Sequence, residues 1–226
     1  MKLTDRDIRL VKDIALSHVM SRDQILELGY FTSVTRVNTR LRELARLSLV
    51  RRLDTPFFGQ SLYMAGRNAQ EISGGRIAQL LDKRTSSPRF VQHALSVTNV
   101  RIALIKKGAG EWRFEQQLKM AFTADRRFEI RPDGLFMATK LPLFIEVDLG
   151  HVNPAKFKEK LLAYRSFVHS GNCEAIYCSQ TFRLLTITTG TARSRNLRQL
   201  LPPNPGFEFL VQTFEELGIS KVSAWS

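Results

Sequence analysis

The chain has 226 residues, of which 34 are lysine or arginine and 21 are aspartate or glutamate, so its formal net charge is +13 at pH 7. This surplus favours polyanionic partners: nucleic acid, an anionic membrane surface or an acidic protein. No apolar run approaches the roughly 20 residues of a membrane-spanning helix, and the N-terminus lacks the apolar centre of a signal peptide. We therefore expect no membrane partner.

The two cysteines, Cys173 and Cys178, lie in the run CEAIYC, which resembles an apolar strand. Their spacing does not favour a disulfide within one strand, and the four histidines are too scattered to complete a zinc site. We expect both residues to be core or near-core thiols in a reducing bacterial cytoplasm.

Three short helices are predicted at the N-terminus. Thr4 is a candidate N-cap for a helix over residues 4–17, and Ser21 begins a short helix that stops at Gly29. A third helix begins after Thr32 or Ser33. Its apolar residues recur at three- and four-residue steps and form one stripe: Val34, Val37, Leu41, Leu44 and Leu47.

Two strand-like runs follow, LVRRLD and SLYMAG, separated by the turn-forming TPFFGQ. Three helices and a hairpin are typical of a winged helix-turn-helix, which places one helix in the major groove of DNA. Arg51 and Arg52 are predicted phosphate contacts. The predicted base-reading residues are Thr35, Arg36, Asn38, Thr39 and Arg40. The alternative is a solvated basic helix in a winged helix that binds protein.

The rest of the chain predicts an α+β fold. We assign residues 1–67 to the winged helix, 68–88 to a linker with a short helix, and 89–226 to a second domain. That domain begins with a helix ending at Lys107 and continues through strand-like runs and helices to FEFLVQTF. The runs are WRFEQQL, RFEIRPDGLFMAT, LPLFIEVDLG, CEAIYCS and RLLTITTG, with helices after the third and fifth. This order predicts a central mixed sheet with helices on each side.

Three acidic residues mark the candidate site of the second domain. Asp133 follows Pro132 where a strand meets a turn, and Glu146 and Asp148 share one face of the next strand. Their mutual repulsion favours neutralisation by a cation or by a basic partner. Oxygen ligands suit Mg²⁺ or Mn²⁺ and therefore phosphodiester chemistry. The alternative is a turn aspartate beside solvated strand acids.

Basic residues of the two following helices complete the prediction. Lys156 or Lys160 can position water or stabilise charge, although a surface lysine is the alternative. Tyr164 has the spacing of a packing residue, with a nucleophile as the other option. Arg193 and Arg195 are predicted phosphate contacts, with a solvated face as the alternative.

Asp133 after Pro132, followed by Glu146-x-Asp148, resembles the PD-(D/E)xK nuclease motif. Asp148 stands where that motif has lysine. Some branches of the superfamily supply the lysine from the next helix, which implies Lys156 or Lys160 here. The resemblance implies a restriction-endonuclease-like domain in which Asp133, Glu146 and Asp148 bind the metal.

Residues 4–168 resemble the replication-relaxation family, which includes MobC-type mobilisation relaxases. The similarity lies in TDRDIRLVKDIA, RLRELARLSLVRRL, His93-Ala94-Leu95, Asn99-Val100-Arg101 and RPDG…FIEVDLG…FKEKLLAY. It implies that the protein binds and nicks plasmid or mobile-element origin DNA. It also implies relaxosome or replication proteins as partners, and a homodimer is a candidate assembly. The alternatives are a DNA-binding regulator with a degenerate nuclease domain and a scaffold that recruits a relaxase.

Overall fold

A computed structural model describes residues 2–55, 58–73 and 87–219. The chain divides into two compact units, with the division after Ile102. Among the described residues, the first unit contains four helices, three strands and the beginning of a fifth helix. These elements are α1 (Asp5–Leu16), β1 (Met20–Ser21), α2 (Arg22–Glu27), α3 (Val34–Arg46), β2 (Val50–Leu53), β3 (Leu62–Ala65), α4 (Ala69–Ser73) and α5 (Pro88–Lys107).

Side-chain caps define the helices of the first unit. The hydroxyl groups of Thr4, Ser21 and Ser33 accept hydrogen bonds from the first turns of α1, α2 and α3. Thr4 and Ser21 form capping boxes, in which Asp7 and Gln24 bond back to the cap backbone. The cap of α3 is therefore Ser33 rather than Thr32.

The apolar stripe of α3 is buried only in its middle. Val37, Leu41 and Leu44 are fully buried, whereas Val34 and Leu47 at the two ends are 45% and 40% exposed. The buried part packs with apolar residues of α1 and α2 in one core. Strands β1, β3 and β2 form an antiparallel sheet in that order.

The segment predicted as a linker contributes to the first unit. Ala69 is fully buried and Ile72 packs against the core of that unit, while residues 74–86 lie outside the described part of the chain. Val91 and Leu95 of α5 also pack there, against Val19 and other apolar residues. The division therefore falls within α5, whereas the sequence predicted a boundary before residue 89.

The second unit has a central five-stranded mixed sheet, which confirms the predicted mixed α/β architecture. Its sheet order is β10–β9–β8–β7–β4, with parallel pairing from β10 to β8 and antiparallel pairing from β8 to β4. A separate hairpin pairs β5 with β6. The elements are β4 (Glu111–Phe114), α6 (Glu115–Leu118), β5 (Met120–Thr123), β6 (Arg127–Ile130), β7 (Gly134–Met137), β8 (Leu143–Asp148), α7 (Pro154–His169), α8 (Asn172–Tyr177), β9 (Arg183–Thr188), α9 (Thr191–Arg198) and β10 (Glu208–Thr213).

The predicted strand CEAIYC is wrong, because this run forms helix α8. A six-residue apolar run carries too little periodicity to separate a helix from a strand. Gly171, with φ +74°, lies between α7 and α8, a conformation that glycine adopts without strain. Cys173 is buried and Cys178 is exposed, and both are free thiols.

Two other predicted strands are divided: WRFEQQL into β4 and α6, and RFEIRPDGLFMAT into β6 and β7.

An aromatic cluster packs α7 against the sheet. The Phe144 ring on β8 lies 4.8 Å from the Phe182 ring, and Tyr164 and Phe167 of α7 pack against the same two rings. Because side chains alternate along a strand, Glu146 and Asp148 share the face of Phe144. No helix in residues 2–55, 58–73 and 87–219 is long and apolar enough to cross a membrane.

Asp7 supports the first unit through a buried ion pair. Its side chain is inaccessible to solvent, and Arg40 Nε donates to Oδ1 at 2.8 Å. Burial alone would raise the pKa of Asp7, but hydrogen bonds from Arg40 and Thr4 outweigh it and lower the pKa to about 2. The pair thus contributes stability above the ordinary pKa of 3.8, and this contribution is lost as pH falls through 2.

We expect Asp7→Asn to lower the free energy of unfolding of the first unit by about 2–4 kcal/mol at pH 7, because Arg40 loses its charged partner. Chemical denaturation measures the loss, which should shrink as the pH approaches 2. Asp5→Asn is the matched control, since Asp5 lies in the same helical turn and is exposed. Equal stability of the two variants at pH 7 would contradict the assignment.

Candidate functional site

Glu146 on β8 is held between two side chains of α7. Lys160 Nζ donates to its Oε2 at 2.6 Å, and the Tyr164 hydroxyl donates to its Oε1 at 2.7 Å. Lys160 and Tyr164 are four residues apart and therefore lie on one face of the helix. Asn153 caps α7 and Pro154 begins it, which fixes where this face meets the strand. Glu146 is only 3% exposed.

Burial and neighbouring charge shift the protonation of this group. Burial raises the pKa of Glu146 to about 7, and the negative charge of Asp133 acts in the same direction against the opposing charge of Lys160. For Lys160, burial lowers the pKa, but Glu146 and Asp133 outweigh it and the pKa is raised. Burial and Glu146 together raise the pKa of Tyr164 well above its ordinary value. The Lys160 ammonium therefore stays charged beside two carboxyl groups.

Asp133 is fixed at the turn before β7. Its Oδ2 accepts a hydrogen bond from the Val147 N–H at 2.7 Å, and its own N–H donates to the Ile145 carbonyl at 3.0 Å. The next residue, Gly134, has no room for a side chain, because a Cβ there would lie 2.2 Å from the Trp112 ring. The turn therefore brings Asp133 against the strand that carries Glu146.

Asp148 belongs to a separate ion pair. Arg193 Nε donates to its Oδ2 at 2.6 Å, the Thr188 hydroxyl donates to the same oxygen at 3.3 Å, and the Gly150 N–H donates to Oδ1 at 3.2 Å. Arg193 also donates to the Val152 carbonyl at 2.7 Å. Asp148 is 2% exposed. Asp148 and Arg193, predicted as a metal ligand and a phosphate contact, thus bind each other.

The structure therefore brings together Asp133, Glu146, Lys160 and Tyr164, and pairs Asp148 elsewhere. Lys156 is exposed and makes no contact with these acids in the described part of the chain. Within residues 2–55, 58–73 and 87–219, no group of three or more histidine, cysteine, aspartate or glutamate side chains is placed to hold a metal ion. Both oxygens of Glu146 accept hydrogen bonds from α7, and Asp133 Oδ2 accepts one from the Val147 N–H.

The predicted reading face of α3 is open to solvent. Thr35, Arg36 and Thr39 are exposed and Asn38 is half-buried. The Arg36 guanidinium donates to the Thr32 hydroxyl at 3.0 Å across an exposed turn.

The predicted phosphate contacts differ in their surroundings. Arg51 and Arg52 on β2 are exposed, with Arg52 3.3 Å from Asp54. Arg195 of α9 is also exposed, while Arg198 donates to the Val211 carbonyl at 2.7 Å. Arg51, Arg52 and Arg195 are therefore accessible to a phosphate group.

Arg40 is placed differently from the other predicted reading residues. Its guanidinium donates to Asp7 of α1 and to Glu43, at 2.8 and 2.6 Å, and is half-buried. The hydrogen bond with Asp7 raises its pKa. The sequence contained one signal for this pairing. Asp7 lies in the first turn of α1, three residues after the N-cap Thr4, and on the same helical face as the buried Val11 and Ile14. Arg40 therefore joins α3 to α1 instead of facing outward.

A sequence model of the replication-relaxation family matches residues 11–178, more than half of the chain. The family description indicates a role in DNA replication or DNA processing. The crystal structure of protein VC1899 from Vibrio cholerae is similar at 11% identity, over 93% of this chain and 47% of that one, with a TM-score of 0.34. This chain thus spans about half the length of that protein. No curated protein sequence matches the chain.

The raised pKa of Glu146 predicts a pH-dependent stability of the second unit. The folded state keeps a proton that the unfolded state loses, so this contribution is present below pH 4.5 and is lost as pH rises to 7.

Glu146→Gln should remove this slope, because glutamine does not titrate. Denaturation between pH 4.5 and 8 measures the slope as the difference between wild type and variant. Glu208→Gln is the control, since Glu208 is exposed on β10 and should leave the slope unchanged. The assignment fails if Glu146→Gln and wild type show the same pH dependence.

Proposed function

Because the chain belongs to the replication-relaxation family, we propose that it binds a specific site in double-stranded DNA through a winged helix-turn-helix in its first unit. The exposed face of α3 carries this proposal. Thr35, Arg36 and Thr39 project from the first half of a helix whose opposite face is buried. A helix of this kind fits the major groove, where an arginine can bond two acceptors of guanine.

The β2–β3 hairpin supplies the proposed wing. Arg51 and Arg52 are adjacent on β2, and both are exposed. Their guanidinium groups suit phosphate oxygens on either side of the groove. The net charge of +13 acts in the same direction, since it attracts the protein to any DNA before a specific site is found.

Arg40 has a positioning role in this proposal. Its ion pair with Asp7 holds the middle of α3 against α1, while its hydrogen bond to Glu43 lies within α3. The exposed residues of α3 therefore project from a helix whose rotation is fixed. Substitutions at Arg40 are expected to act through stability, whereas those at Arg36 are expected to act on DNA directly.

We expect Arg36→Gln to weaken binding to the cognate origin by about 5- to 150-fold and to relax the base preference, because one bidentate base contact contributes about 1–3 kcal/mol. Arg51→Gln should weaken binding to all duplexes alike and lower the salt slope by about 1. Fluorescence anisotropy with cognate and scrambled duplexes measures both effects.

Arg9→Gln is the matched control, because Arg9 is exposed on α1 and its substitution removes the same charge from the same unit. The winged-helix proposal is overturned if Arg9→Gln and Arg36→Gln change cognate affinity equally. Selection of bound sequences from a random duplex library identifies the cognate site for these measurements.

Phosphodiester cleavage in the second unit is a second candidate function. Strands β4, β7 and β8, then α7 and β9, have the strand–strand–strand–helix–strand order of a PD-(D/E)xK nuclease. Asp133 precedes β7, Glu146 lies on β8, and Lys160 of the next helix contacts Glu146. This contact favours Lys160 over Lys156 as the substitute for the lysine that the motif lacks at Asp148. The proposed substrate is plasmid or mobile-element origin DNA.

Asp133 and Glu146 would hold Mg²⁺ or Mn²⁺, which supplies Lewis-acid activation of a phosphodiester. The Lys160 side chain is 39% exposed, so a phosphate can approach it from solvent. There it stabilises negative charge on the phosphate as the bond to oxygen breaks. Asp148 acts through Arg193 and Thr188 and holds the end of β8 against α9.

A regulator without catalysis is the alternative. Glu146 accepts hydrogen bonds at both oxygens from Lys160 and Tyr164, and Asp148 is committed to Arg193. Protein donors thus already neutralise two of the three acids, as in a structural ion pair. Relaxosome or replication proteins, or a second copy of the chain, are the proposed protein partners in either case.

We expect Mg²⁺-dependent nicking of a supercoiled plasmid that carries the cognate origin, and at least about a 100-fold loss of rate in Asp133→Asn and in Lys160→Gln. Lys156→Gln is the matched control on the same helix and should retain nicking. Agarose gels resolve the supercoiled and open-circular forms.

Thermal unfolding with Mn²⁺ gives an independent readout of metal binding. A metal that binds only the folded protein raises the melting temperature, and Asp133→Asn should abolish that shift. Origin binding by wild type with neither nicking nor a Mn²⁺ shift would overturn the nuclease proposal and favour the regulator.

A further inference from the structure

A basic cleft lies in the second unit, between the β5–β6 hairpin and the C-terminal half of α7. Its volume is about 580 Å³, within the range of pockets that bind small ligands. Arg126 and Phe128 line it from the hairpin, and Arg165 and His169 line it from α7, together with two serines. Asp125 is the one acidic residue among the lining residues.

No acid in the described part of the chain neutralises the two arginines of the cleft. Arg165 has no hydrogen-bond or ion-pair partner in residues 2–55, 58–73 and 87–219. The Arg126 guanidinium lies 4.8 Å above the Phe128 ring, and Asp125 pairs with neither arginine within those residues. By contrast, Arg40, Arg101 and Arg193 are each bonded to a buried aspartate. The cleft therefore presents two guanidinium groups to an incoming anion.

Arg165 and His169 do not serve to cap the C-terminal end of α7. The Ser166 carbonyl accepts the Ser170 N–H at 3.0 Å, and the Val168 carbonyl accepts the Gly171 N–H at 2.9 Å. The backbone thus satisfies these carbonyls at the end of the helix. Arg165 and His169 are left to interact with solvent or with a ligand.

We propose that this cleft binds a phosphate group, and that the phosphate belongs to the backbone of a DNA strand. The planar guanidinium of arginine matches two phosphate oxygens at once, and the serine hydroxyl groups supply further donors. Arg126 already covers the Phe128 ring, which is 8% exposed, so no open aromatic face is left for a nucleotide base. This favours a backbone phosphate over a free nucleotide.

The cleft and the Glu146–Lys160 contact share helix α7. Arg165 follows Tyr164 by one residue, which rotates its side chain by roughly 100° around α7. It follows Lys160 by five residues, or about 7.5 Å along the helix axis. Five residues also turn the helix by about 140°, so Arg165 and Lys160 project from different faces of α7. The choice of DNA as the phosphate source rests on the proposed function, whereas the phosphate site itself does not.

The test compares the full chain with Arg126→Gln/Arg165→Gln and with a control pair, Lys107→Gln/Lys140→Gln. The control removes the same charge from exposed positions of the second unit outside the cleft. Fluorescence anisotropy measures the affinity for a 30-bp duplex (about three helical turns) as a function of salt. Calorimetric titration with ATP and with inorganic pyrophosphate measures phosphate binding without DNA.

We expect the cleft pair to lose at least about 10-fold in duplex affinity and to lower the salt slope by about 1, because one phosphate loses its contact, while the control pair stays near wild type. Binding of ATP or pyrophosphate that the cleft pair abolishes, with unchanged duplex affinity, would support the phosphate site and assign it to a free nucleotide. Equal behaviour of the cleft and control pairs in both assays overturns the proposal. A wild-type chain that does not bind duplex overturns the proposed function, and the titration still decides the cleft.

Discussion

The burial of Glu146 between β8 and α7 is the constraint on which the second unit depends. A carboxylate that leaves water must be neutralised or must keep its proton, and Lys160 and Tyr164 together meet that requirement. Both donors come from one face of α7, so the same interaction sets the rotation of the helix over the sheet. The aromatic cluster around Phe144 then packs in the register that this polar contact imposes.

The two units treat charge in a similar way. In each, the acids nearest the core are bonded to arginine or lysine from a distant part of the chain: Asp7 to Arg40, Asp13 to Arg101, Glu146 to Lys160 and Asp148 to Arg193. Such pairs join one helix to another helix or to a strand. The basic side chains left at the surface are therefore those that do not hold the fold together, and they are the ones available to a polyanion.

Local features of the structure were predictable from the sequence, while long-range pairings were not. The caps at Thr4 and Ser21, the apolar stripe of α3 and the alternation along β8 follow from neighbours within a few residues. In the sequence, nothing distinguished Arg40 and Arg193 from the exposed arginines near them, because their acidic partners lie 33 and 45 residues away. Alternation placed Glu146 on the correct face, but it carried no information on whether a metal or Lys160 would neutralise it.

The continuity of α5 defines what an independent fragment of this protein must contain. Val91, Ala94 and Leu95 cover apolar side chains of the first unit, and Gln24 Nε2 donates to the Leu95 carbonyl at 2.8 Å. A fragment that stops at residue 88 would leave Val19 and its neighbours open to water and prone to aggregate. The minimal soluble form of the first unit therefore extends through Arg101, whose guanidinium binds the buried Asp13.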